Sequence, residues 1–357
     1  LSLQNVVKEL LLPLDPRAVS QSVIRRPNAS SRPKLVRRGR RDDALPSSVY
    51  RLRSPSSPRD LYHLTVINLI RFTPHALQPY LIQALARTAY HLSRAKRHAI
   101  EQNLNAAFGR LNSQHQAFIV RGTFYSFWQE MFDWSLPPLE SIPNITILGM
   151  EHLHTALQKG SGVILCESNG FGKRILPKRI LHARGFPISQ VHGPDNLGGF
   201  STNNNRSASP LQPRIKNFFD QREKQFIAQQ FDLPDDESLG FTRTLIHALH
   251  HNAILCLAGD GRVSHKFIHL PFLGQTVPFA TGMVSLARIT AAPILPLFCF
   301  RPQNDSIYIA IEPPLDLPTS ERDTAARCTL SDYTQRLESR IRAHPEQYRN
   351  WHLAGQL

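Results

Sequence analysis

Apolar and polar positions change their period several times along this chain. Between residues 145 and 312, short apolar runs of strand length alternate with stretches whose apolar residues recur at helical spacing. The runs at 145–148, 163–166, 188–191, 253–257, 293–300 and 306–312 read as strands. The helical patterns fall at 150–159, 173–184, 214–231, 241–251 and 281–290, and a last amphipathic helix begins near residue 329. Residues after Asp260 and up to Pro271-Phe272-Leu273-Gly274 read as a loop. Strands that alternate with helices predict an α/β fold with a central, mostly parallel sheet flanked by helices. Upstream the period is helical throughout. Ile100, Leu104 and Phe108 mark one helix that Gly109 ends, and Ser113 is the expected cap of another carrying Phe118, Ile119, Phe124, Phe127, Trp128 and Phe132.

Three segments follow from this pattern. Residues 1–60 are rich in Pro, Ser and Arg, poor in large apolar groups, and read as a disordered basic tail. Residues 61–98 carry Leu64, Ile67, Ile70, Leu77, Leu81, Leu85 and Leu92 with Arg94, Lys96 and Arg97 at the end, an amphipathic helical segment suited to a membrane surface. A helix packed on the main body has the same pattern. Residues 99–357 form the α/β domain with its leading helices.

Within that domain, 162–194 is one strand, turn, helix and strand. Ligands of open α/β sheets bind just beyond the carboxyl ends of the strands. That edge here is the turn Glu167-Ser168-Asn169-Gly170-Phe171-Gly172. Asn169, Gly170, Lys173 and Arg174 stand there as candidate substrate-binding residues, with Arg262 beyond the strand at 253–257. Lys173, Arg174, Lys178 and Arg179 are suited to the phosphates of a lipid or carrier, or else form a solvated helix face.

Charge narrows the partners. The net charge is +15 and the pI about 10.1. That balance favours acidic partners, among them an anionic membrane lipid, an acidic carrier protein or nucleic acid. No recognisable nucleic-acid-binding motif is present, so a specific nucleic-acid partner is not expected. The four cysteines, Cys166, Cys256, Cys299 and Cys328, are far apart and make no CxxC pair, and three of them lie in apolar runs. Buried free thiols are expected, with neither a metal nor another cofactor. The chain opens without Met, and residues 1–14 mix charge into an apolar stretch, unlike a signal peptide. No run approaches the ~20 apolar residues of a spanning helix.

The order of short motifs resembles the bacterial lipid A biosynthesis acyltransferases, the lauroyl and myristoyl transferases of the glycerolipid acyltransferase superfamily. Asn103-Leu104-Asn105-Ala106-Ala107-Phe108-Gly109 is similar to that family's NL-x-x-AFP segment. Further matches are Gly259-Asp260-Gly261-Arg262, Pro271-Phe272-Leu273-Gly274, Ala280-Thr281-Gly282, Leu286-Ala287-Arg288 and Ala292-Pro293-Ile294-Leu295-Pro296. The end, His344-Pro345-Glu346-Gln347-Tyr348 and Trp351-His352, resembles the family's HPEQ-W-x-H ending. The resemblance implies transfer of an acyl chain from acyl carrier protein to a glycolipid hydroxyl. The work would be done by a peripheral protein at the cytoplasmic face of the inner membrane.

Such chemistry needs a base for the hydroxyl proton and donors for the developing oxyanion. The family supplies the base as a His with an acidic residue five positions on. Here Glu167 stands at the position of the His and Gly172 at that of the acid, while Asp260 matches a family aspartate. The substitutes for the base are Glu167 itself and His192, at the end of the next strand in sequence; His265 and His269 follow Asp260. Glu167, His192 and Asp260 are therefore the candidate catalytic residues. Two functions remain open: an acyltransferase with a rearranged site, or a catalytically silent relative that binds lipid or acyl carrier as a scaffold or regulator.

Overall fold

The computed structural model describes residues 58–142, 144–193, 211–233, 239–261, 264, 266–301 and 306–356. The basic tail read at 1–60 lies outside them apart from its last three residues. Four helices come first: α1 (Pro58–Phe72), α2 (Gln78–Leu92), α3 (Arg94–Phe108) and α4 (Ser113–Asp133). The alternating part then runs β1 (Ile145–Leu148), α5 (Met150–Gln158), β2 (Val163–Glu167), α6 (Ile175–Ala183), β3 (Ile188–His192), α7 (Gln212–Glu223) and β4 (Ile227–Asp232). It continues with α8 (Leu239–His250), β5 (Ile254–Ala258), β6 (Phe267–Phe272), β7 (Gln275–Ala280), α9 (Gly282–Thr290), β8 (Ile294–Phe300), β9 (Ile307–Ile311) and α10 (Arg322–Ala343).

Seven strands form the main sheet in the order β1-β9-β8-β2-β5-β3-β4. Every neighbouring pair is parallel except β8 with β9. The predicted α/β class holds. β2 lies at the middle, paired with β5 on one side and β8 on the other. Both β2 and β8 are buried at every position. A strand covered on both faces has no polar side to show, so its sequence is a continuous apolar run. The unit β2-α6-β3 is not a pair of neighbours, because β5 sits between the two strands.

Several elements differ from the sequence reading. The helix expected over 214–231 stops at Glu223, and Ile227–Asp232 is an edge strand beside β3. Only Ile227 and Phe231 of that strand are buried, so its polar exposed residues give no strand signal. The loop expected before Gly274 is the antiparallel hairpin β6-β7. Its turn residues Leu273 and Gly274 have φ of +51° and +76°, the two left-handed positions that suit the twist of a tight hairpin. A leucine at the first of them hides the turn from a sequence reading. The cap of α4 is Asn112 rather than Ser113, with its side-chain oxygen 2.7 Å from the His115 amide. Segment 61–98 is α1 and α2, broken at Pro74, plus the first turn of α3, so residue 98 falls inside a helix.

The motifs at the two ends of the family-like region meet. The Asn103 side chain donates to the Trp351 carbonyl at 2.7 Å and accepts from Gln275 at 2.9 Å. The Trp351 indole donates to the Pro345 carbonyl at 2.7 Å. The C-terminal turns (Pro345–Gln347 and Arg349–Gln356) thereby lie over the turn that follows β2, where Phe171 bridges Tyr348.

Candidate active site

The turn after β2 is braced from inside by Asp260. Its carboxylate accepts from the Ser168 hydroxyl at 2.6 Å, the Asn169 amide at 2.6 Å and the Gly170 amide at 3.2 Å. The Ser168 oxygen in turn accepts from the Gly170 and Phe171 amides at 3.1 and 3.0 Å. Consecutive amides in such a turn form an anion-binding nest. Here the anion in the nest is a side chain of the protein itself. Arg349 closes the other side, donating to the carbonyls of Gly172 at 2.7 Å and Asn169 at 2.8 Å. Gly172 has φ +75°, and a Cβ there would overlap the Cys299 carbonyl oxygen. No side chain, acidic or otherwise, fits at Gly172 without moving β8.

Glu167, the last residue of β2, is buried. Gln190 donates to its carboxylate at 3.2 Å, and the Lys178 ammonium lies 3.9 Å away. Lys178 comes from α6 and is wholly buried, paired with both Glu167 and Glu223. The second Glu223 oxygen is 2.8 Å from Nε2 of His192, whose Nδ1 is 3.8 Å from Asp220. Lys216 extends the row to Asp220 and Asp232 at the surface. Burial pushes the Glu223 carboxyl up, but Lys178 and His192 outweigh it and hold it well below the usual carboxylate range. For Lys178 too burial works against the charge, and Glu167 with Glu223 restores it. Glu167 and His192 thus belong to one row of ionisable side chains and are linked through Lys178 and Glu223. Asp260 faces the turn instead.

The neighbouring basic residues also point inward, so the helix face read as solvated is not one. Lys173 is buried, with its ammonium 3.8 Å from Asp133 and 3.4 Å from the Ser126 carbonyl. Burial lowers it to about 8, against the raising effect of Asp133 and Glu130 and with help from Arg301 and Arg349. The Arg174 amide donates to Glu130 at 3.2 Å, Arg349 lies 3.5 Å from the same carboxylate, and Arg301 binds Asp133 at 2.6 Å. Arg179 donates to the Pro137 carbonyl at 2.7 Å. Arg262 and His265 lie outside the described residues, and His269 is exposed on the hairpin. Cys166, Cys256 and Cys299 are buried and free, and burial pushes each thiol up. No group of metal-ligating side chains occurs among the described residues.

Glu130, Asp133, Glu223, Arg301 and Arg349 were not singled out in the sequence, and only the first two have a signal there. Glu130 and Asp133 interrupt the aromatic run Phe127-Trp128 to Phe132-Trp134. Lys178 stands three residues from both Ile175 and Leu181, on the apolar face of its helix. A charge on such a face implies a buried partner.

A cavity of about 700 Å³ opens between α2 and α4 and ends at Arg301 and Gln347. None of Glu167, Asn169, Gly170 or Asp260 lines it. The model of the family described as bacterial lipid A biosynthesis acyltransferase matches residues 50–353. The chain belongs to that family. Among solved structures, one titled as the 1-acyl-sn-glycerophosphate (LPA) acyltransferase PlsC from Thermotoga maritima is similar at 12% identity. The match covers 80% of this chain and 100% of that one, with a TM-score of 0.33. No curated protein matches the chain at a significant level. In this lipid A acyltransferase family member, the position of the expected base carries a buried carboxylate paired with a lysine.

Proposed function

We propose that this member of the lipid A acyltransferase family binds lipid or acyl-carrier ligands as a scaffold or regulator and does not transfer the acyl chain at an enzyme's rate. The observation that carries this reading is the engagement of Glu167 by Lys178 and Gln190 in the interior. A general base must reach the proton it takes, and its pKa should lie near the working pH. Glu167 is buried and held by an ammonium and an amide, with no open path to a hydroxyl. His192 is engaged by Glu223, and Asp260 fills the amides that would hold an oxyanion. We assign Glu167 and His192 to the internal charge row and Asp260 to bracing the turn. Asn169 and Gly170 lie in that turn and Lys173 and Arg174 follow it in the chain, and these four, with Arg262 from the sequence alone, are the proposed substrate-binding residues.

A peripheral position at an anionic membrane accords with the exposed Leu61, Tyr62, Phe72, Leu77, Tyr80 and Leu92 on and around α1 and α2. No helix among the described residues is long and apolar enough to cross a membrane. The test is to mix the protein with radiolabelled acyl carrier protein and a phosphorylated glycolipid, and follow complex and product together. We expect a saturable complex and no enzymatic product. Turnover of ~1 per second or faster, the lower range of ordinary enzymes, would overturn the reading.

A further inference from the structure

The cavity between α2 and α4 lies apart from the turn after β2. Its volume, about 700 Å³, is that of a small-molecule site. Ala86, Tyr90, Phe118 and Tyr125 give it apolar and aromatic walls. Arg87 and Arg121 stand exposed at its rim, and neither has a carboxylate partner among the described residues. The Arg121 guanidinium lies 5.5 Å from the centre of the Tyr90 ring, along the cavity wall. Arg301 stands at the inner end, bound to Asp133. Glu346 is the one carboxylate among the lining residues.

Gln129 lines the cavity as well and is 9% exposed, so its side-chain amide offers a hydrogen bond to an occupant.

We propose that this cavity is a binding site for a single-chain anionic amphiphile, with its chain between α2 and α4 and its acidic head at Arg87 and Arg121. Guanidinium forks recognise carboxylate and phosphate alike, so the shared chemistry is an alkyl chain with one acidic head. The site uses no residue of the turn after β2, and it stands whether or not acyl transfer occurs.

The test is titration calorimetry on the full chain with dodecanoate, dodecyl phosphate and an uncharged dodecyl ether, all below their critical micelle concentrations. We expect saturable 1:1 binding of at least one acidic ligand, at least ~10-fold tighter than the ether. The stronger of the two acidic ligands tells a fatty acid from a phosphate ester. The double variant Arg87→Glu/Arg121→Glu should lose at least ~10-fold for the acidic ligand and change little for the ether, since these side chains are exposed. Gln129→Leu should weaken the acidic ligand by a few-fold. In unmodified protein, raising salt should weaken the acidic ligand alone, which tests the head group without any variant. Equal affinity for acidic and uncharged ligands, no saturable binding, or an unaffected charge-reversed variant would overturn the proposal.

Discussion

At the scale of single residues, the turn after β2 is held by positions that tolerate no exchange. Gly172 is left-handed and lies against the Cys299 carbonyl. Gly172→Ala should destabilise the protein by at least ~2 kcal/mol in chemical denaturation, through strain and overlap together. The same contact means that an acidic residue cannot simply be reinstalled five positions after residue 167. Breaking the buried Lys178–Glu223 pair by Lys178→Met should cost about 3–5 kcal/mol, because Glu223 keeps its charge in the interior without its main partner. The double variant Lys178→Met/Glu223→Leu should recover only the part due to Glu223, since Glu167 stays buried without its ammonium. The depressed Glu223 gives stability that is full above its unfolded value near ~4.3 and is lost as pH falls toward its folded value. Lys173 acts in the same direction in the alkaline range. It titrates at about 8 in the fold and near ~10.4 unfolded, so the unfolded chain binds the extra proton in between. Stability should therefore rise from about pH 8 to ~10.4, by on the order of 3 kcal/mol from this lysine. Lys96, lowered to about 8 by burial, adds to the same rise. Lys173→Met should remove the Lys173 part in denaturation curves measured across that range.

Elements were more legible than their side chains. β2, β5 and β8 stood out because a strand covered on both faces is apolar at nearly every position. β4 did not, because an edge strand buries only Ile227 and Phe231 and its lysine- and glutamine-rich approach favours a helix. The order of the strands, with β5 between β2 and β3, is set by long-range pairing that has no local signal. The site was legible to the level of the turn. Glu167, His192 and Asp260 could be named, but not that Lys178 and Glu223 occupy the first two while Asp260 turns to the amides of the loop. The loop itself is one unit with Asp260. In Asp260→Asn the carboxylate no longer accepts three hydrogen bonds, each worth about 1.5–3 kcal/mol when made to a charged group. Hydrogen exchange at the Asn169 and Gly170 amides should then accelerate by at least ~10-fold relative to the sheet. Unchanged protection there would mean that Arg349 and the C-terminal turns hold the loop without Asp260.

For the whole molecule, a net charge of +15 and the exposed apolar side chains of α1 and α2 belong to one behaviour. Each basic residue near an anionic surface contributes on the order of 1 kcal/mol, an attraction that salt screens. Liposome flotation should show binding that requires acidic lipid and fades with salt. Equal binding to neutral liposomes in high salt would contradict the electrostatic part. The same body carries the family's motif order around a turn whose Glu167 is held by Lys178 and Gln190, and the central claim proposed for it is that no base there is free for the acceptor. Its most direct test is a chase of labelled acyl chain from acyl carrier protein to glycolipid, with unmodified protein and with Glu167→Gln at equal concentration. We expect the same background rate from both, as follows from the proposal that Glu167 takes no proton from the acceptor. Transfer by the unmodified protein at ~1 per second or more, falling ~100-fold or further in Glu167→Gln, would contradict it.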